Sequence, residues 1–222
     1  MNVAVLTCLR DRLEYTKHCY PTLVENAGCG FDWYVIDQGS TDGTQEWLES
    51  QAAHVTLAGE NLGICPGLNR LLDDIITGDY DVVCRWDNDC EVLTPDTLRA
   101  VCEAADEHGW ILAPTVLGLR HPPSRAMPQP LGDVMVAETA TLGGIFMAIP
   151  SDLFTDWEYR YDESFPPYTG DEAICAWWRA NGGHCGYLTD YEVNHYERVD
   201  EQEEKFPEYQ ARKEREMGLV AA

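Results

Sequence analysis

Short apolar runs and amphipathic stretches alternate along the first 115 residues. "NVAVLT" precedes an amphipathic segment over roughly Leu13 to Asn26, "DWYVID" precedes Thr44 to Gln51, and a short "HVTLA" precedes Leu62 to Ile76. "DYDVVCRW" then leads into Pro95 to His108, and "WILAP" closes the series. This β-α-β-α rhythm predicts an α/β fold with a parallel sheet and helices on both of its faces. Ligands of such sheets bind in the crevice at the carboxyl ends of the strands.

The rhythm stops at Pro114. "PTVLGLRHPPSRAMPQPLGD" carries five prolines in twenty residues. Proline has no amide donor for a ladder or helix interior, so a loop without regular structure is expected, touching the substrate or closing over it. Beyond it "VMVAETATLGGIFMAIP" reads as paired strands, "GDEAICAWWRANGG" as a helix stopped by glycines and "CGYLTDYEVNHYE" as two short strands. From Glu197 onward charge dominates, and an exposed helix interrupted near Pro207 is expected.

Composition narrows the classes. With 222 residues and 45% apolar content the chain can bury a substantial core. Its 39 acidic against 15 basic residues give a net charge of -24, which repels a phosphate backbone and argues against a duplex nucleic-acid partner. Only three of the basic residues are lysines (Lys17, Lys205 and Lys213), which fits a high-salt cytoplasm and equally an acidic protein from a GC-rich genome. The nine cysteines include no C-x-x-C pair, so free thiols in a reducing compartment are expected. No run approaches the ~18 apolar residues of a membrane span and the start lacks a basic leader, so the expected location is cytoplasmic with any membrane attachment peripheral.

Candidate chemistry sits where apolar strands end. In "RWDNDCE" Asp87 and Asp89 follow the fourth strand, and if the chain stays extended their side chains point the same way. Adjacent carboxylates repel unless a positive charge joins them, and hard oxygen ligands suit magnesium or manganese; a solvated Asp/Asn turn is the alternative. "VIDQGSTDGTQEWL" places Asp37 at the end of another strand, able to accept hydrogen bonds from a base or ribose, while Asp42 reads as a helix cap. "ENLGICPGLNRLL" has two glycines and a proline before a helix but is neither G-x-G-x-x-G nor a phosphate loop, which counts against dinucleotide oxidoreductases and nucleotide hydrolases.

Taken in order, "TCLRDRLEY", "VIDQGSTDGT", "ENLGICPG", "WDNDCEV", "TGDEAICAWWRANGG" and "EVNHYE" resemble the motif series of family-2 nucleotide-sugar glycosyltransferases with the GT-A fold, from about Met1 to His195. The resemblance implies one Rossmann-like α/β domain over 1–196, with a mostly parallel central sheet and a small antiparallel acceptor-side subsheet. Its nucleotide-sugar half is 1–115, its acceptor half 116–196, and a charged helical tail follows over 197–222. It also implies a nucleoside-diphosphate sugar as donor, UDP-sugars first by analogy, and a hydroxyl acceptor on a glycan, lipid-linked glycan, protein or small molecule.

By the same resemblance Thr7, Arg12, Asp37 and Asn69 belong to the nucleotide-sugar site together with Asp87, which faces the ribose or a metal-bound water. Asp89 of the D-x-D motif and the late His195 ligate Mn2+ or Mg2+; the imidazole tilts the preference toward manganese. Asp171 stands where inverting members carry their base, although Gly170 replaces the usual glutamate of that pair and Glu172 remains an alternative base. Aspartate after glycine is also a good helix N-cap. The chain lacks the Ala-Arg-Asn version of the third motif, which leaves Arg70 or Arg85 as substitutes in neutralising the diphosphate. Gly143 and Gly144 allow close backbone approach on the acceptor side, and Trp157, Tyr168, Trp177 and Trp178 are candidate faces for a sugar ring, most of them otherwise core. Two other readings share these features: a sugar-phosphate nucleotidyltransferase using Arg10 and Arg12, and a catalytically silent carbohydrate-binding or scaffold protein.

Overall fold

Strands β1 (Val3–Leu9), β2 (Asp32–Asp37) and β3 (Ala53–Leu57) run in parallel, joined by helices α1 (Leu13–Asn26) and α2 (Thr44–Leu48). Helix α3 (Ile64–Ile75) then carries the chain back, and β4 (Val82–Trp86) pairs in parallel with the other side of β1. The strand order therefore reverses between β1 and β4, which makes the carboxyl ends of these two strands the natural ligand crevice. These relationships come from a computed structural model that describes residues 1–119, 125–164, 170–196, 201, 204–205 and 207–216.

The remaining described elements are β5 (Cys90–Val92), α4 (Thr97–His108), β6 (Trp110–Leu117), β7 (Gln129–Leu131), β8 (Val134–Glu138), β9 (Phe146–Pro150), α5 (Asp152–Thr155), α6 (Asp171–Ala180), β10 (His184–His195) and α7 (Pro207–Glu216). All strands join one sheet in the order β3-β2-β1-β4-β9-β6-β10-β8-β7, with β5 attached to β10. Every antiparallel pair includes a strand of the carboxyl half, and through β4–β9 these strands continue the parallel sheet. Helices cover both faces: the Thr7 hydroxyl accepts from Trp33, which stacks on Tyr20 of α1, while the thiol of the next residue, Cys8, lies against Ile64 of α3. Successive side chains of a strand point to opposite faces, so α1 and α3 lie on opposite sides.

Four sequence expectations change. The "VMVAETATLGGIFMAIP" strands do not pair with each other: β9 is buried along its whole length and sits between β4 and β6, whereas the half-exposed β8 pairs with β10 and β7. A strand without a polar face needs cover on both sides, which only an interior place supplies. Strand β6 continues through Pro114, because β10 shifts register there, pairing Leu188 with Pro114 and Glu192 with Thr115. The missing proline donor is accommodated by that bulge, and Thr115 Oγ1 donates to the Leu188 carbonyl at 3.1 Å.

For the same reason "CGYLTDYEVNHYE" is one long irregular strand and not two. Part of the proline-rich stretch is regular after all, since β7, with Pro130 in it, forms the sheet's edge, where proline is tolerated. The middle of that stretch and Tyr168 lie outside the described residues. No helix among the described residues is long and apolar enough to cross a membrane, and all nine cysteines are free.

Candidate active site

The loop after β1 is tied to the loop after β2. Asp11 accepts from the Thr41 amide at 2.8 Å, its own amide donates to Ser40 Oγ at 2.8 Å, and Asp42 accepts from the Leu13 amide at 2.7 Å. Asp42 also accepts from the Thr44 amide and hydroxyl, so one carboxylate caps the starts of both α1 and α2. These ties hold Asp11 and Arg12 in left-handed backbone (φ 54° and 60°), an uncommon conformation for side-chain-bearing residues. Arg12 thereby turns toward the crevice. Its Nη1 lies 3.0 Å from Asp89 Oδ2, and its Nη2 reaches Asn88 Oδ1 at 3.5 Å.

Asp37 ends β2 fully buried. Its Oδ2 accepts from Gln45 Nε2 at 2.6 Å and from the Ser40 amide at 3.2 Å, while its Oδ1 has no hydrogen-bond partner. A buried carboxylate oxygen left open is costly unless something else donates to it. Asp37 Oδ1 is thus a buried acceptor that the described residues leave unsatisfied.

After β4 the chain turns, with the Cys90 amide donating to the Asp87 carbonyl at 3.0 Å. The backbone is not extended there, so the two aspartates do not simply align; each meets a different arginine. Asp87 accepts from Arg85 Nε at 3.2 Å and from Nη2 at 3.3 Å, and Asp89 accepts from Arg12. Asn88 points away into α1, donating to Thr16 Oγ1 at 2.9 Å. Burial opposes ionisation of Asp87 most strongly; Arg85 offsets part of this, Asp89 adds repulsion, and the carboxyl ends above its ordinary value. Burial opposes Asp89 as well, but the charge of Arg12, with that of His195, outweighs it and holds this carboxyl low.

His195 arrives from the far end of the chain because β5 pairs with the end of β10, with His195 opposite Cys90. Its Nε2 lies 3.8 Å from Asp89 Oδ2, and the Tyr196 amide donates to the Asp89 carbonyl at 2.8 Å. A carboxylate oxygen and an imidazole nitrogen are donor types that would suit a manganese- or magnesium-like ion. No group of three or more His, Cys, Asp or Glu converges on such a site among the described residues. The pair by itself would supply two ligands, and an ion bound there would compete with Arg12 for Asp89.

Asp171 opens α6 as its first residue, with Gly170 as N-cap, and it makes no cap to its own helix. The N-cap reading of Asp171 is thus replaced by a crevice-facing one. One oxygen accepts from the Gly144 amide at 2.9 Å and the other lies 3.4 Å from Arg85 Nη1. Glu172, the alternative base, is exposed. Gly170 has φ 132°, and a Cβ there would meet Cys65 Sγ at 2.7 Å, so no side chain can replace this glycine without strain.

The other candidate residues have partners within the fold. Thr7 is fully buried, and its hydroxyl accepts from Trp33 Nε1 at 2.9 Å. Both ends of the Asn69 amide serve a structural bridge, donating to the Tyr161 carbonyl and Glu163 and accepting from the Tyr161 amide. The Gly143 amide donates to the Tyr187 hydroxyl at 3.1 Å, and what approaches Gly144 closely is the Arg85 guanidinium.

Arg70 is exposed, whereas Arg85 is buried and joins two carboxylates. The Arg85–Asp87 contact was legible in the sequence, since residues two apart on a strand share a face; the contact with Asp171 left no signal. Trp178 is buried, Trp177 half-buried, and exposed Trp157 packs edge-on against both.

Residues 4–118 match the family model described as Glycosyl transferase family 2. No curated protein sequence matches the chain. Among solved structures, S. aureus TarS 1-349 in complex with UDP-GlcNAc is 18% identical (TM-score 0.62), with 87% of this chain covering 58% of that one. GalNAc-T7 with UDP, GalNAc and Mn2+ is 13% identical (TM-score 0.68), with 89% of this chain covering 43% of that one. Mannosyltransferase PcManGT from Pyrobaculum calidifontis, in complex with GDP-Man and Mn2+, is 16% identical (TM-score 0.65), with 87% covering 56%. The chain spans about half the length of these structures, and at such identities the likeness establishes the shared fold.

Proposed function

The chain belongs to glycosyl transferase family 2, and from that premise we propose that it moves a sugar from a nucleoside-diphosphate donor to a hydroxyl acceptor, with inversion and with a divalent cation at the diphosphate. The observation that carries this reading is the gathering, at the reversal point of the sheet, of an open buried acceptor on Asp37 with the carboxylates of Asp87, Asp89 and Asp171. UDP-sugars are the first donors to test and GDP-sugars the second, the two kinds held by the TarS and PcManGT structures.

In this reading Asp37 Oδ1 accepts from the base. Asp87 faces the ribose. Asp89 and His195 hold the cation, Mn2+ ahead of Mg2+, which supplies Lewis-acid stabilisation of the departing diphosphate. Asp171 takes the proton from the acceptor hydroxyl as that oxygen bonds to the anomeric carbon and the bond to the diphosphate breaks. A single displacement inverts the anomeric configuration, and a positioned base of this kind is worth about a hundredfold to ten-thousandfold. The nine free thiols suit a reducing, cytoplasmic setting.

The test is a thermal-shift screen of UDP- and GDP-sugars with and without Mn2+, followed by donor turnover with the stabilising compounds. Stabilisation that depends on Mn2+ and is lost in both Asp89→Ala and His195→Ala supports the assignment. Indifference to every nucleotide overturns the transferase reading, and metal-dependent stabilisation that survives Asp89→Ala overturns the cation site.

A further inference from the structure

We infer that Arg85 is the positioning residue for the base of this reaction: one buried guanidinium grips the donor-side Asp87 and the acceptor-side Asp171 together and fixes where the base stands relative to the donor. This deepens the transferase reading and rests on it.

Three observations converge on Arg85. It is the penultimate residue of β4 and is only 7% exposed, yet it spends its nitrogens on two carboxylates, one two residues away and one 86 residues away: Nε and Nη2 on Asp87, Nη1 on Asp171. Its seat is shaped for it, since a Cβ on Gly144 would overlap the guanidinium, and that same glycine's amide donates to the other oxygen of Asp171. Both oxygens of the base are thereby fixed, one by a backbone donor and one by a cation. Finally, a guanidinium keeps its proton in proteins, so the charge is permanent where an ammonium or imidazole could lose it.

The titratable groups around this unit are Asp87 and Asp171, with Asp89 beyond Asp87, Cys8 of β1, Cys65 of α3 and Tyr161. Burial drives the Cys8, Cys65 and Tyr161 groups upward, so these stay neutral and leave Arg85 as the charge that balances Asp87 and Asp171. Without it two carboxylates would face an incoming diphosphate of the same sign. In the reaction Arg85 gains and loses no proton. The acceptor's proton goes to Asp171, and Arg85 fixes where that aspartate stands to receive it.

The experiment measures kcat and donor KM for wild type, Arg85→Lys and Arg85→Met, with Asp171→Asn and the double variant Arg85→Met/Asp171→Asn alongside. Arg85→Met should lose about a hundredfold in kcat, the cost typical of a misplaced reacting group, a loss larger than any rise in its donor KM. Arg85→Lys keeps the charge but not the fork, so its kcat should fall by less. The double variant should turn over no more slowly than Asp171→Asn alone, because Arg85 acts through Asp171. Wild-type kcat in folded Arg85→Met overturns the inference, as do multiplying losses in the double variant. Should Arg85→Met not fold, wild-type kcat in Arg85→Lys overturns it. Transfer that is lost in Asp171→Asn but indifferent to Arg85 removes this inference alone, whereas transfer indifferent to Asp171→Asn removes the underlying base assignment.

Discussion

Arg12 and Asp89, 77 positions apart in the chain, meet as a 3.0 Å ion pair at the carboxyl edge of the sheet. Asp89 is held below its ordinary value of 3.8: burial pushes it up, and Arg12 with His195 pulls it down further. A depressed folded-state carboxyl stabilises the fold above the unfolded value, and that contribution is lost as the pH falls through the folded one. Asp89→Asn should therefore be less stable than wild type near pH 6, and the gap should close as the pH falls below 3.8. Urea midpoints across that range check it; a gap that is constant with pH contradicts the assignment.

Asp37 offers a second measurement. Its Oδ1 is buried and open while Oδ2 is satisfied by Gln45 and Ser40. A hydrogen bond to a charged group is worth about 1.5–3 kcal/mol, so Asp37→Ala should weaken nucleoside-diphosphate binding by roughly tenfold to a hundredfold. Calorimetric titration reads this directly, and unchanged affinity would remove Asp37 from the donor site.

Gly170 stands where the family pattern has a glutamate, and restoring a side chain there should harm the protein. With φ 132° and Cys65 Sγ in the way, Gly170→Ala should cost on the order of 1–3 kcal/mol in denaturant unfolding and Gly170→Glu more. A neutral Gly170→Glu would show that the backbone before α6 relaxes freely.

The choice between Asp171 and Glu172 is open to kinetics. Asp171 is joined to Gly144 and Arg85 in the crevice, whereas Glu172 is exposed. Asp171→Asn should lower kcat by about a hundredfold to ten-thousandfold with donor binding retained, and Glu172→Gln should stay within a few-fold of wild type. The reverse ranking would transfer the base role to Glu172.

The first half of the chain was legible in the sequence to within a few residues. The pattern that predicted a helix from Leu13 to Asn26 and a strand at "DWYVID" reappears in α1 and β2, and Asp37, Asp87 and Asp89 stand at the ends of the strands expected to carry them. Period and strand termini are local properties, written residue by residue in which side chains must be buried. The ordered motifs likewise pointed to the family that the match over 4–118 establishes.

What the local pattern leaves undetermined is which distant groups meet. Nothing in "HVTLA" or "IFMAIP" says that β9 will slip between β4 and β6, that β5 will catch the end of β10 and bring His195 to Asp89, or that Arg85 will reach Asp171 across 86 positions. The same holds for Thr7 and Asn69, whose polar groups the fold satisfies internally. Competition for buried places in the sheet decides such pairings, and every strand takes part in it at once. The sequence by itself determined which residues could do the chemistry; the assembled sheet decided which of them stand within reach of one another, because burial is shared across the whole fold while periodicity is not.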